Sequence, residues 1–266
     1  MYKRQNSTLR TRGWEISLNW KHALENGLSY NLGISLYDYK SVVTKYFNPT
    51  GTLSTWYEGA EVGDIWGYTV NDLFRSQEDL DSYLSKVDMT HIAANWNTGD
   101  LKYEDINHDG KVNNGTNTIG NHGDLSVIGN DQPHYQYTIN GGVSYKGFDF
   151  SMLWRGVAKK DMYFYRGSNI YWGFMGGWWE SCLTPEHLDY FRDQPGSKYS
   201  GLYEGDANIN TDAYWPRPYL NNTEEAKNKN HANTRYLQNA AYLRLQNVQL
   251  LSLIHISEPT RLRRIS

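Results

Sequence analysis

The stretch from Tyr135 to Trp154, YQYTINGGVSYKGFDFSMLW, contains the pattern that decides the fold. Apolar and aromatic side chains alternate with small or polar ones in both of its halves: Tyr135, Tyr137, Ile139, Val143 and Tyr145, then Phe148, Phe150, Met152 and Trp154. Alternation with a period of two predicts β-strands with one apolar face. The dipeptide Lys146-Gly147 separates the two halves, so the stretch predicts a β-hairpin.

Two further regions show the same alternation. The first is a hairpin that turns around Glu25–Gly27, with apolar positions at Trp14, Ile16, Leu18 and Trp20 and then at Leu28, Tyr30, Leu32, Ile34 and Leu36. The second is a last strand over Ala241–Leu250. Its apolar positions change phase between Leu245 and Val248, which predicts a β-bulge near Asn247.

The connections between these strands are very uneven in length. Each predicted strand has about ten residues, as in a membrane-spanning β-strand, and joins its partner through a tight turn at one end. At the other end the connections are long, residues 47–134 and 160–238. Loops of that length are unusual in a compact domain but are typical of the outer side of outer-membrane β-barrels. A soluble antiparallel sandwich has the same alternation, so the pattern alone leaves both architectures open.

Short helices are predicted inside the long connections. Ser76-Gln-Glu-Asp79, followed by Leu80 and Tyr83, has the form of a capped helix start. Thr184-Pro-Glu-His-Leu188 is similar, with Pro185 at the first helical position. Residues 196–239 are rich in Gly, Asn, Asp, Tyr and Pro, which predicts an irregular, solvated loop.

The composition excludes several classes of protein. The 266 residues contain 26 Lys plus Arg and 29 Asp plus Glu, so no nucleic-acid partner is expected. Aromatic residues reach 15%, whereas the whole hydrophobic set is 39%, which is unusual for a soluble core. Cys182 is the only cysteine, which excludes disulfides and a cysteine-built zinc site. The sequence has no apolar run of about 18 residues and hence no transmembrane helix.

Specific strings in the chain are similar to SusC/RagA-type TonB-dependent outer-membrane transporters. The strings are GDIWGY at 63–68, SQED at 76–79, GDLKYEDINHDGKV at 99–112, SYKGFD at 144–149 and AYLRLQNVQL at 241–250. They follow the family's order and together span most of residues 10–250. Each string is weak alone, and the combination is specific.

The resemblance implies an all-β fold: part of a large antiparallel transmembrane β-barrel, incomplete and not closed, with long extracellular loops containing short helices. It implies a fragment of an active transporter in the cell outer membrane, surrounded by outer-membrane lipid, that imports oligosaccharides or peptides. The implied partners are a SusD-like surface lipoprotein and the TonB complex. The family's plug domain and TonB box have no counterpart in this sequence, so the TonB complex is expected to act through parts absent here.

The two ends of the chain resemble a different kind of sequence. Met1–Gln5 (MYKRQ) and Leu251–Arg261 (LSLIHISEPTR) resemble translations of the two orientations of a transposase adapter used for sequencing libraries. We therefore expect residues 1–5 and 251–266 to be adapter scars, which are excluded from reasoning about the fold. Residues 6–250 are expected to be a partial TonB-dependent β-barrel domain.

One candidate metal site is a D-x-N-x-D-G string of the kind that starts a calcium loop. Its expected ligands are the side chains of Asp105, Asn107, Asp109 and Asn113 and the carbonyl of Lys111, with Gly110 allowing the sharp turn. Thr116 stands where a bidentate Glu is expected, so calcium binding should be weak unless Glu104 or Asp124 contributes. The alternative is a turn whose side chains cap their own backbone.

The start of the second long connection is rich in aromatic residues. Trp172, Trp178 and Trp179 are candidate contacts for a sugar substrate or a partner, and an interfacial girdle is the alternative. The sequence has no metalloprotease, nucleophile-elbow or phosphate-binding motif, so no enzyme is expected. The alternatives to the transporter are a soluble extracellular β-sandwich that binds glycans and a secreted hydrolase.

Overall fold

The computed structural model describes residues 7–163, 184–197, 203–219 and 222–252. The chain divides into two compact units, which are described separately. The first comprises Met1–Arg10, Val42–Asp131 and Asp161–Gln238, and the second comprises Thr11–Ser41, Gln132–Lys160 and Asn239–Ser266. The second unit therefore contains most of the predicted strands, and the first contains the long connections.

Strands dominate the described residues. The elements in chain order are β1 (Thr8–Ala23), β2 (Ser29–Lys45), β3 (Asp64–Tyr68), β4 (Val70–Leu73), α1 (Gln77–Leu84), β5 (Leu101–Tyr103), β6 (Leu125–Asn130), β7 (His134–Tyr145), β8 (Phe148–Lys159), β9 (Asp161–Tyr163), α2 (Asn222–Lys229), β10 (Leu237–Asn239) and β11 (Tyr242–Ser252). None of the helices in the described ranges is long and apolar enough to cross a membrane.

The largest sheet has five strands in the order β1-β2-β7-β8-β11. The pairs β2–β7, β7–β8 and β8–β11 are antiparallel. Within the described residues the sheet is open, with β1 and β11 at its two edges. This confirms the prediction of an all-β, antiparallel and unclosed fold.

One face of this sheet exposes its apolar side chains. On β1 the exposed fractions are 45% for Trp14, 56% for Ile16, 68% for Leu18 and 62% for Trp20. The alternate apolar residues of β11 are also exposed: Leu243, Leu245, Val248 and Leu250. A soluble sandwich would cover such a face with a second sheet. The alternation predicted from the sequence is thus present, and the apolar face is left open.

The predicted turns and the predicted bulge are confirmed. Gly27, in the first hairpin, has φ 84°, and Lys146 and Gly147 have φ 46° and 82°. Two successive positive φ angles define the type I′ turn, whose twist matches that of the strands it joins. In β11, Leu245 pairs with Trp154 and Asn247 with Leu153, so Gln246 is the extra residue of a bulge.

The lengths of the first two strands differ from the prediction. β7, β8 and β11 have 12, 12 and 11 residues, close to the predicted ten, but β1 has 16 and β2 has 17. The end of β2 is prolonged by the connection that follows it. The Val43 N–H donates to the Ala60 carbonyl at 2.9 Å, and the Gly59 N–H donates to the Val43 carbonyl at 2.8 Å. These bonds satisfy backbone groups of Val43 near the end of β2.

The long connections form a folded unit with its own core. Its fully or almost fully buried hydrophobic residues include Leu73, Phe74, Leu80, Met89, Leu101, Tyr103, Val112, Phe191, Trp215 and Tyr236. The prediction that residues 196–239 are a solvated loop was therefore wrong for part of the described residues in this range, since Trp215, Lys227 and Tyr236 are buried. Gly, Asn and Asp govern the backbone conformation there, while the few aromatic residues supply buried surface, as in the stacked rings of Trp215 and Tyr236 at 5.9 Å.

Both predicted short helices are present in this unit. Ser76 caps α1, because its Oγ accepts a hydrogen bond from the Asp79 N–H at 3.2 Å. Pro185–Leu188 forms a single 3-10 turn with Thr184 at its N-cap position. The Thr184 N–H donates to Nδ1 of His187 at 3.0 Å. Side chains of the predicted type therefore satisfy the free backbone groups at these two helix starts.

Candidate binding site

The predicted calcium loop lies between β5 and β6, and its side chains bond to their own backbone. The Asp105 carboxylate accepts hydrogen bonds from the N–H groups of Asp109 at 3.2 Å and Gly110 at 2.8 Å. Asn107 Oδ1 accepts from the Asp109 N–H at 2.9 Å, and Asp109 Oδ1 accepts from the Lys111 N–H at 2.9 Å. The capped turn, which was the alternative to a metal site, is therefore formed.

Gly110 has φ 81°, as the predicted sharp turn requires. Asn113 lies further along, where its Oδ1 accepts from the Gly115 N–H at 2.6 Å. The described ranges contain no cluster of three or more His, Cys, Asp or Glu side chains placed to hold a metal. Calcium also binds amide and carbonyl oxygens, so the site formed by Asp105, Asn107, Asp109, Lys111 and Asn113 stays a prediction.

Asp124 holds the two ends of this loop together. It is fully buried, and its Oδ1 accepts from the Ile106 N–H at 2.9 Å and the Asn107 N–H at 3.3 Å. Its Oδ2 accepts from the Asn113 N–H at 2.8 Å. A buried carboxylate needs such donors to offset the loss of its hydration. Asp124 thus fixes the loop backbone.

The other predicted contacts, Trp172, Trp178 and Trp179, lie outside the described residues. Their contact with a substrate or a partner stays a prediction. The adapter-like ends, residues 1–5 and 253–266, also lie outside the described part. Leu251 and Ser252 are described, and they form the end of β11. Their place in β11 does not test the prediction that residues 251–266 are an adapter scar.

A groove that the sequence analysis missed lies in the first unit, between the end of β2 and β3. It has a volume of about 340 Å³, and its lining includes Trp56, Tyr57, Glu61, Asp64 and Trp66. A second groove of about 330 Å³ is lined by Phe47 and Glu58 among others, and Tyr57 lines both grooves. We call these two cavities the aromatic grooves. Cavities of this size lined by aromatic and a few polar groups are typical of small-ligand sites.

Tyr57 is fixed by its aromatic neighbour. Trp66 Nε1 donates to the Tyr57 hydroxyl at 3.1 Å, and the two rings meet edge to face with centroids 6.5 Å apart. Burial raises the pKa of Tyr57, the hydrogen bond from Trp66 opposes this, and the negative charge of Asp64 raises the pKa further. Tyr57 is therefore a neutral hydrogen-bonding group at physiological pH.

The sequence contains one local signal for the grooves, but that signal indicates the family resemblance and not a binding site. Trp66 belongs to the GDIWGY string, which the sequence analysis used only for the family resemblance. Trp56 and Tyr57 belong to the long connection after β2, where no periodicity marks a binding residue. The proximity of Trp56 and Tyr57 to Trp66 depends on the pairing of β3 with β6 and on bonds within the connection.

The comparisons with known proteins concern the fold. No protein-family model and no curated protein matches this sequence. Solved structures do match, and they share an all-β fold with this chain. One match is a chain in the structure of the RagAB peptide transporter, with a TM-score of 0.56 and 14% sequence identity. It covers 92% of this chain and 23% of that chain.

Two further structures of the same transporter match similarly. The RagAB peptide importer in its open-open state gives a TM-score of 0.50, with 14% identity over 92% of this chain and 22% of that one. The closed-closed state gives 0.53, with 13% identity over 92% and 23%. At such identity the likeness establishes the fold alone. The chain spans less than a quarter of the length of the chains it matches.

Proposed function

We propose that this chain is part of an outer-membrane active transporter that imports oligosaccharides or peptides. The observation that carries this proposal is the exposed apolar face of the five-stranded sheet, from Trp14 and Leu18 on β1 to Leu250 on β11. A contiguous apolar surface of this kind is unfavourable in water, and lipid is the solvent that suits it. The opposite, polar face would then line the interior of a barrel.

The more specific parts of the proposed function come from the sequence resemblance. They are energisation by the TonB complex, a SusD-like surface lipoprotein as partner, and location in the cell outer membrane. The fold likeness to the RagAB peptide transporter supports a role in transport and is in keeping with a peptide as one class of substrate. We do not propose an enzymatic activity, since the quoted strings resemble a transporter family and none of them resembles a catalytic motif.

The test compares two neighbouring positions on opposite faces of β1. Leu18 and Asn19 are both exposed, and only Leu18 belongs to the apolar face. In a Cys182→Ser background, Leu18→Cys and Asn19→Cys are each labelled with a fluorophore, and the full chain is reconstituted in vesicles that contain spin-labelled lipid. We expect strong quenching at position 18 and weak quenching at position 19, because quenching requires contact with the lipid chains.

Equal and weak quenching at both positions would contradict the proposal. A soluble glycan-binding sandwich is the second candidate from the sequence. It predicts that Leu18 packs in a protein core, so that its label is shielded from lipid and the chain is monodisperse without detergent.

A further inference from the structure

The aromatic grooves have the construction of a site for an oligosaccharide. Trp56 is 46% exposed and Phe47 is 75% exposed, so both aromatic side chains are accessible to a ligand. An exposed ring of this kind matches the C–H face of a pyranose, which is the apolar side of a sugar. Each groove contains such a ring, and Tyr57 lies in the lining of both.

The segment that carries these rings is held in place before any ligand arrives. Asn48 clamps it, because its Nδ2 donates to the carbonyls of Thr52 at 2.8 Å and Trp56 at 3.2 Å. Its Oδ1 accepts from the Thr52 N–H at 3.1 Å. The Asn48 side chain thus closes the turn that places Trp56 in the groove. Because this segment is ordered in advance, the entropy cost of binding a ligand is lower.

A second set of bonds ties the same segment to the loop before β6. The Leu53 N–H donates to the Asn117 carbonyl at 2.9 Å, and the Ile119 N–H donates to the Gly51 carbonyl at 2.9 Å. The Asn117 side chain donates to Ser54 Oγ at 2.9 Å. The two segments therefore form one rigid wall, with Ile119 lining the second groove.

The polar lining of the first groove includes the carboxylates of Glu61 and Asp64, which can accept hydrogen bonds from the hydroxyl groups of a sugar. Asp64 already accepts hydrogen bonds from the Glu61 N–H at 3.2 Å and from Asn130 Nδ2 at 3.1 Å. These donors fix the position of the carboxylate in the groove lining. The hydroxyls of Ser54 and Thr55 lie in the same lining. Fixed acceptors beside an aromatic face are what a neutral sugar ring requires.

We propose that the aromatic grooves bind a neutral oligosaccharide, with one ring stacked on Trp56, a neighbouring ring on Phe47 and Tyr57 between them. This inference rests on the proposed function and deepens it, because it selects an oligosaccharide from the two substrate classes. The two grooves, of about 340 and 330 Å³, lie at the lower end of the size range of small-molecule sites.

The test is isothermal titration of the full chain in detergent micelles with four neutral hexasaccharides: maltohexaose, cellohexaose, mannohexaose and xylohexaose. We expect at least one to bind, and Trp56→Ala to weaken that binding by at least about tenfold. Trp56→Phe keeps a flat ring and should restore part of the affinity. The matched control is Tyr203→Ala, because Tyr203 is an exposed aromatic residue of the same unit that does not line either groove.

Two results would overturn the inference: no binding by any of the four sugars, or sugar binding that Trp56→Ala leaves unchanged. Binding of a lysine-rich or neutral peptide that Trp56→Ala abolishes, without any sugar binding, would also overturn it in favour of a peptide. The quenching experiment on Leu18 and Asn19 separates these failures from failure of the transporter proposal. Quenching at Leu18 without sugar binding refutes the sugar site alone, and absent quenching refutes the proposed function.

Discussion

The Nζ of Lys227 lies 2.7 Å from a carboxylate oxygen of Asp100, and both side chains are fully buried. Lys227 also donates to the Asn95 carbonyl at 2.9 Å and to Glu224 Oε2 at 3.2 Å, so its three N–H groups have three acceptors. Asp100 in turn accepts from the Tyr219 hydroxyl at 2.8 Å. This pair fastens α2, in the second long connection, to the residues before β5 in the first.

Breaking this pair should strongly destabilise the first unit. Lys227→Met leaves the Asp100 carboxylate buried without a counter-charge, and we expect a loss of about 3–5 kcal/mol in the free energy of unfolding. Urea unfolding followed by near-ultraviolet circular dichroism measures it. The control is Lys102→Met, because Lys102 lies 2.7 Å from Asp79 near the surface and such pairs contribute about 1 kcal/mol or less. Equal losses of unfolding free energy in the two variants would show that the buried pair stabilises the unit no more than the pair near the surface.

Asp124→Asn should loosen the loop between β5 and β6. The amide offers one acceptor oxygen where the carboxylate serves the N–H groups of Ile106, Asn107 and Asn113. We expect a loss of about 1–3 kcal/mol and faster hydrogen exchange at those three amides. Asp109→Asn is the control, since exposed Asp109 accepts one backbone bond, from the Lys111 N–H, and one bond from the side chain of Asn107. Unchanged exchange in Asp124→Asn would contradict the role given to Asp124.

Gly99→Ala should be much more harmful than Gly120→Ala. Gly99 has φ 85°, and an added Cβ would lie 2.3 Å from Cδ1 of the buried Phe191. The left-handed backbone alone costs about 1–2 kcal/mol, and the clash adds to this. Gly120 has no atom within 4 Å of an added Cβ. Its substitution should stay within about 0.5 kcal/mol. The midpoints of thermal unfolding give the comparison, and similar midpoints would refute the packing described at Gly99.

The stability of the first unit should fall in mild acid because of His231. Burial lowers the pKa of His231 from 6.5, and the nearby charge of His91 lowers it further. Its ring lies edge to face with those of Tyr68 and Tyr103. A depressed folded-state pKa means that the unfolded chain takes up the proton first. The contribution of neutral His231 to the free energy of unfolding is therefore complete above pH 6.5 and is lost as the pH falls through the folded-state pKa.

The measurement for His231 is the urea midpoint between pH 7.5 and pH 5. His231→Gln cannot gain a charge, so the difference between the wild type and this variant isolates one of the eight histidines. A difference that does not change with pH would show that His231 does not titrate differently on folding.

Calcium should bind weakly, in the millimolar range, if the D-x-N-x-D-G loop is a metal site. Asp105→Asn removes one charge and one of the two acceptor oxygens that bind the Asp109 and Gly110 N–H groups, so it should abolish calcium binding. The bonds accepted by Asn107 and Asp109 still hold the turn. Isothermal titration of both proteins with calcium is the measurement. Absence of heat and of any structural change in the wild type at millimolar calcium would remove the metal site and leave the capped turn.

Much of the sheet could be predicted from the sequence because its determinants are local. Alternation at Trp14–Trp20 and Tyr135–Tyr145, the Lys146-Gly147 turn and the phase change near Asn247 each depend on residues a few positions apart. The extra length of β2 could not be predicted in this way. The end of β2 lies beside β1 and also bonds through Val43 to Gly59 and Ala60 of the following connection, contacts that leave no local pattern in the sequence.

The sequence by itself determined the five strands of the largest sheet, the hairpin turns, the bulge and the two short helices at Ser76 and Thr184, since period, turn chemistry and capping act over a few residues. Only the tertiary structure decided that residues 196–239 carry a buried core, that Asp124 closes the loop after β5, and that Trp56 and Trp66 line one groove. The buried Asn228 bonds to Asp100, 128 positions away in the chain. The burial of a polar residue depends on whether the fold brings it a partner, and a partner that distant leaves no local pattern.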